Sequence, residues 1–209
     1  DGVVKKLVTP IAWPIPGHFS ALKEVCPDGK AILICMIAEP FMESFEAILG
    51  GRGTITYREP SREGPTETPL YEYAWNHTTL HALKMDPSIT YLQLRFPAPN
   101  NLALVEWAAR EFDEDVYFHL EFQRREGKVI TSSLPLVKFT TPERLMEIMS
   151  RAAEGGVQPS NAHTYVLNNV GWKRVDAPQP EFKRQADPYG LMNPGKLLGW
   201  EAEAQEAAE

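Results

Sequence analysis

The feature that most limits what this chain can fold into is its longest unbroken apolar run, Ala31-Ile-Leu-Ile-Cys-Met-Ile-Ala38. A membrane-crossing helix needs about 20 such residues, so the run is too short to span a bilayer. Its β-branched content and lack of polar alternation predict a central strand covered on both faces. Pro40 to Leu49 then places Phe41, Phe45 and Ile48 at helical spacing and stops at Gly50-Gly51. Gly53 to Arg58 alternates as a second strand, which makes a strand, helix, strand unit.

The alternation of elements continues along the chain. Asp1 to Thr9 reads as a strand halted by Pro10, and IAWPIPG as an extended connector. Segment 59–68 is a polar loop, and Leu70 to Met85 a helix ended by Asp86-Pro87. Ile89 to Phe96, Val116 to Gln123 and Lys128 to Val137 are strands, the last two joined by a Glu126-Gly127 turn, with a helix from Asn101 to Phe112. Thr140 or Thr141 caps a helix through Ala153, with Pro142 in its first turn, Leu145, Ile148 and Met149 on one face, and Gly155-Gly156 as the stop. His163 to Leu167 is a short strand and Glu181 to Ala186 a helix, with an acidic tail at the end. This order predicts an α+β fold, an antiparallel or mixed sheet with helices packed on one face in ferredoxin-like repeats.

Composition bounds the function. At 209 residues and 43% hydrophobic, the chain can bury one good core and a small satellite. A net charge of -7 argues against coating nucleic acid, which needs clustered Lys and Arg. The two cysteines, Cys26 and Cys35, exclude a disulfide framework and favour a reducing cytoplasm, and the first residues lack the pattern of a secretory signal. Gly50-Gly51-Arg52-Gly53 leads into a strand rather than opening a helix, so no phosphate-cradling loop is expected.

Two clusters carry ionisable groups. Tyr71, Tyr73, Trp75, His77, His81 and Lys84 fall within the helix expected over 70–85, where His77 and His81 share a face. That pair could bind a metal, work as two acid/base groups, or hydrogen-bond at the helix surface. His163 and Tyr165, two apart on an expected strand, would enter one pocket together or border the core. His119 shares a strand face with Tyr117 and Glu121 and faces either a pocket or the core.

The most specific local signal is Asp187-Pro-Tyr-Gly-Leu-Met-Asn-Pro-Gly-Lys196, which by turn chemistry is a helix stop followed by a tight turn presenting Lys196. It resembles the DPxGxxNPGK motif that closes the glycolate-oxidase and D-lactate-dehydrogenase-like flavoproteins of the vanillyl-alcohol-oxidase superfamily. Asp1-Gly-Val-Val-Lys-Lys-Leu-Val-Thr9 is similar to the strand that ends their FAD domain, so the likeness spans nearly the whole chain.

The resemblance implies the C-terminal substrate domain of an FAD-dependent oxidoreductase acting on a small hydroxy acid or alcohol. Residues 1–10 would be the last strand of an FAD-binding domain, 11–199 the substrate domain and 200–209 the tail. FAD would be held mainly by the N-terminal domain, touched here by Gly2, Val3, Asn193 and Lys196. His77, His163 and Tyr165 would be catalytic, and Trp75, His81, Lys84 and His119 would bind the substrate. Metal-dependent relatives carry an EHG segment where this chain has Ala162-His163-Thr164, and an HxGDGNxH segment missing here, so no metal is expected. The implied partners are a small-molecule substrate and the flavin domain, with room for a homo-oligomer. The alternative is a non-catalytic ferredoxin-like interaction domain.

Overall fold

The computed structural model describes residues 2–59, 68–74, 77–167 and 178–197. Lys5–Ile11 (β1) pairs antiparallel with Ile32–Ile37 (β2), with Thr9 opposite Ile34. On its other side β1 reaches the main sheet: Ile11 is paired with His119, the Thr9 hydroxyl donates to the Leu120 carbonyl at 2.7 Å, and the Ala12 N–H to that of Phe118 at 2.9 Å. The apolar run is therefore not the central strand expected of it. Among the described residues β2 is paired only with β1; Ile34 is buried, whereas Leu33 is 49% exposed.

Helix α1 (Met42–Leu49) follows and ends as expected at Gly50, whose φ of +51° suits a residue without a Cβ. Gly53 to Arg58 forms no strand, although its residues alternate. It finds no sheet edge, is mostly exposed, and is tied back by the Arg58–Glu46 ion pair. The helix expected over 70–85 is two pieces, a 3₁₀ turn at Leu70–Tyr73 and α2 (His77–Met85). Extended Ala74 separates them, and the Thr78 hydroxyl donates to the Tyr73 carbonyl at 2.9 Å. Trp75 lies outside the described residues.

The sheet is built by three strands, each interrupted once. Ile89–Tyr91 (β3) leads into Gln93–Phe96 (β4), Val116–Tyr117 (β5) into Leu120–Arg125 (β6), and Lys128–Ser133 (β7) into Leu136–Lys138 (β8). The register does not slip across the break: Ile89 faces Lys138 and Leu94 faces Ser133, while Val116 faces Val137 and Leu120 faces Ser133. On one side of the middle strand Pro135 has no N–H to give the ladder, and on the other the Phe118 carbonyl turns away to accept from Ala12. Gln158–Ser160 (β9) adds antiparallel to β4, giving the order β6-β7-β4-β9 beside β3-β8-β5.

With α3 (Asn101–Glu111) and α4 (Pro142–Glu154) the connectivity from 89 to 160 is β-α-β-β-α-β, and the fold is α+β. Both helices pack on one face: Ala108, Ile148, Met149 and Ala152 share a core with Leu92, Leu94, Phe96, Phe118 and Val137. A second core covers the other face at the β3-β8-β5 end, where Ile11, Ile15, Phe19, Tyr73 and Ala82 meet Ile89 and Leu136. Among the described residues no helix is long and apolar enough to cross a membrane.

Local signals explain these boundaries. Thr141 caps α4 by accepting the Arg144 N–H at 3.1 Å. Glu126 and Gly127 both take positive φ, as a two-residue hairpin turn requires. Helix α5 (Pro178–Ala186) stops at the expected residue. His163 to Leu167 is not a strand; the strand lies earlier, at β9, because it is Gln93 to Arg95 that offers a free edge.

Gly155 closes α4 beneath the Trp107 ring, and a Cβ built there falls 2.1 Å from Trp107 Cη2. Gly155→Ala is expected to lose about 1–3 kcal/mol in a urea melt, whereas Gly127→Asn, in an open turn, should lose far less.

Candidate functional site on the sheet face

Side chains alternate across a strand, so the core positions Leu94 and Phe96 put Gln93 and Arg95 on the face away from α3 and α4. Cross-strand partners share a face, and the pairs Glu121–Ser132, Ser132–Arg95 and Arg95–Gln158 therefore form one polar row across four strands. The row above holds His119 on one side and the Gln93–Ser160 pair on the other.

These groups are not solvated surface polars. His119 is fully buried, Ser160 is 1% exposed, and both ring nitrogens of His119, Glu121 Oε1, Gln158 Oε1 and Ser160 Oγ have no hydrogen-bond partner in the protein. His119 Nε2 and Glu121 Oε1 are 3.9 Å apart. Burial, with Ile11 paired alongside, lowers the His119 pKa to about 4, so the imidazole is neutral near pH 7. Burial raises the Glu121 carboxyl above its usual range. Buried polar atoms are almost always satisfied in folded proteins. Their gathering on one face makes that face the candidate site.

The expected site residues fall in several places. His119 is on this face, and His163 stands at its border, its ring 4.6 Å edge-on from Tyr91 and its Nε2 3.2 Å from Thr90 Oγ1. His163 and Tyr165 do not enter one pocket as strand neighbours: Tyr165 is 69% exposed and lies under Lys196, whose Nζ is 4.8 Å from the ring centroid. His77 pairs through Nδ1 with Glu72. His81 stacks on Tyr73 at 4.5 Å and meets Phe19 edge-on at 5.6 Å, so although one turn from His77 it serves the second core. Burial lowers its pKa, opposed by a backbone hydrogen bond at Glu72. Lys84 is exposed on α2. Among the described residues no group of three His, Cys, Asp or Glu side chains could hold a metal ion.

Asp187 organises the DPYGLMNPGK segment. Its carboxylate accepts the N–H groups of Leu191 and Met192, each at 2.9 Å, and Lys183 Nζ at 2.7 Å, which holds its pKa below the usual carboxylate range. Asn193 sits at φ +48° in the turn, and the Leu167 N–H donates to the Lys196 carbonyl at 2.9 Å. Tyr189, Leu191 and Met192 are left 86%, 78% and 58% exposed, and Met192 joins Leu167, Phe182, Ala186 and Leu197 in lining an apolar cleft of about 180 Å³. At the other end Gly2 is exposed with φ +71°, and buried Val3 accepts from Lys5 Nζ at 3.2 Å.

Sequence reasoning missed Glu121, Gln158 and Ser160 as site residues. A polar residue at every second position from His119 was a visible signal on one strand, but Gln158 and Ser160 join it only through the β4–β9 pairing. No protein-family model and no curated protein matches this chain.

The folded pKa of His119 lies below its ordinary 6.5, so the unfolded chain takes up the proton first and stability falls as pH drops from 6.5 toward about 4. The loss due to this group should approach roughly 3 kcal/mol. Denaturant melts between pH 7 and 4 should show a flatter acid limb for His119→Leu than for the natural chain; parallel limbs would refute the assignment.

Proposed function

We propose that the chain is the substrate-binding half of an FAD-dependent oxidoreductase, with a ferredoxin-like sheet whose polar face receives a hydroxylated substrate. The observation that carries this reading is the set of buried polar atoms without a hydrogen-bond partner on the face opposite the helices: both ring nitrogens of His119, Glu121 Oε1, Gln158 Oε1 and Ser160 Oγ. The neutral His119 imidazole can take the proton of a substrate hydroxyl, with a basicity that rises once a bound polar group restores the hydrogen bonds its burial removed. Glu121, 3.9 Å away with its carboxyl raised by burial, is suited to share or relay that proton. His119 thereby takes the acid/base role that the sequence reading gave to His77 and His163, while His163 shapes the border of the site beside Tyr91.

The donor set fits one side of a flavin and not the other. The partnerless atoms of the sheet face could hydrogen-bond a polar ring edge, but no described helix is opened by a glycine-rich turn of the kind that cradles phosphates. FAD, when bound, would supply the two-electron oxidation. The chain's own residues hold the substrate, accept its proton and exclude water. The exposed Tyr189, Leu191 and Met192, with Asn193 and Lys196 beside them, support a docking role for the DPYGLMNPGK turn toward the domain that carries the cofactor, and Gly2 and Val3 a junction at the other end.

Two outcomes test this. Mixed with FAD and passed through gel filtration, the chain by itself is expected to emerge colourless. Joined to the flavin-binding half from its source gene, it should bleach FAD anaerobically with substrate, and His119→Ala should slow that bleaching by about 10² to 10⁴. Unchanged bleaching in His119→Ala would sink the reading. Glu121→Gln, which removes a desolvated carboxylate, should slow bleaching yet melt at a higher temperature at pH 7.

A further inference from the structure

Strand β2 leaves one edge open. Its side chains alternate: Ile32, Ile34 and Met36 turn to the second core, which Leu70 and Tyr71 also join, and Leu33 and Cys35 turn the other way. The backbone direction follows from Pro10, which stands opposite Leu33 and has no N–H for an exchanged pair of hydrogen bonds. The ladder between β1 and β2 therefore runs through Thr9–Ile34 and Ile11–Ile32, in step with Ala12, whose N–H points to the far side at Phe118. The N–H and C=O groups of Leu33 and Cys35 consequently point outward. Among the described residues no strand pairs with that edge, and no turn or loop backbone bonds to it.

Proteins blunt an open edge with charges or prolines. From Ile32 to Ile37 β2 carries neither, and the Cys35 thiol, pushed up to about 11 by burial, is uncharged near neutral pH. Leu33 is exposed. Helix α1, which leaves the same strand, buries none of its eight residues, although Met42, Phe45 and Leu49 share a face and so short a helix depends on packing. This corner of the molecule lacks a cover.

The ends of the apolar run select the partner and its direction. Lys30 precedes the run and Glu39 follows it, both exposed. A parallel neighbour with the same sequence would set like charge beside like. An antiparallel one sets Lys30 of each copy within one residue of Glu39 of the other, whether Ile34 or Cys35 lies on the two-fold axis. The edge is then used once by each copy, so the assembly closes at two.

We propose that β2 is the interface with a second copy of this chain, the two β2 edges pairing antiparallel about a two-fold axis so that the sheet continues from one copy into the other. This is independent of the oxidoreductase reading, and its test involves no flavin.

Sedimentation velocity on the 209-residue chain supplies the test. At roughly 100 µM, where interfaces of micromolar strength fill, the natural chain is expected to run as a dimer; a monomer, or growth beyond two copies, overturns the proposal. Leu33→Lys should weaken dimerisation by about tenfold or more. Lys30→Glu and Glu39→Lys should each weaken it about fivefold, and the two combined in one chain should return it to within a factor of about two of the natural value. Lys30 and Glu39 sit at opposite ends of β2, so such a rescue arises between copies. A combined variant no tighter than the single ones, or a Leu33→Lys chain that dimerises as the natural one does, also overturns the proposal. Matching circular dichroism and thermal melts show that the fold is kept, and should Leu33→Lys not fold, the exchanges at the two exposed charges decide the matter.

Discussion

Pro135 sits in the middle strand of the sheet, and the rest of the architecture accommodates it. A proline in a central strand cannot donate to the ladder, so the pairing opens there while the register is kept on either side. All three long strands break at that level, and each half meets a different neighbour. The β3-β8-β5 half is covered on both faces, by α3 and α4 below and by the connector and α2 above. The β6-β7-β4-β9 half keeps the helices on one side and a row of polar side chains on the other. His119 falls at the seam, paired with Ile11 and fully buried.

This placement accounts for the chemistry of the face. A histidine among apolar neighbours loses its hydration, which disfavours the imidazolium, and a carboxyl nearby suffers the opposite displacement for the same reason. Neither shift depends on a tight ion pair, since the two groups stand 3.9 Å apart. Burying them forgoes stability near neutral pH for the carboxyl and at acid pH for the imidazole. That loss is offset elsewhere by two contiguous apolar cores and by caps such as Thr141.

Much of the fold was legible because its signals are local. The span of α4 follows from Thr141, Pro142 and Gly155, and the β6–β7 hairpin from Glu126-Gly127. What could not be read depends on partners distant in sequence. The run Ala31 to Ala38 has the composition of a central strand, but β7 and β4 hold the inner positions of the four-stranded sheet, and β2 is paired, among the described residues, with β1 alone. Gly53 to Arg58 has a strand's alternation and no edge to meet. For the site, His119 and its alternation with Glu121 were visible, while Gln158 and Ser160 became members only through β9. The reading of His163 and Tyr165 as neighbours on one strand face failed because that segment turns between Asn161 and Leu167.

The DPYGLMNPGK segment is held in shape by Asp187, which takes two backbone N–H groups and a lysine onto one carboxylate. A loop ordered in this way would meet a docking partner as a finished surface, with little chain entropy left to surrender when the surfaces join. Such an association would proceed as the meeting of two rigid bodies, its rate set by encounter and orientation rather than by a folding event at the contact.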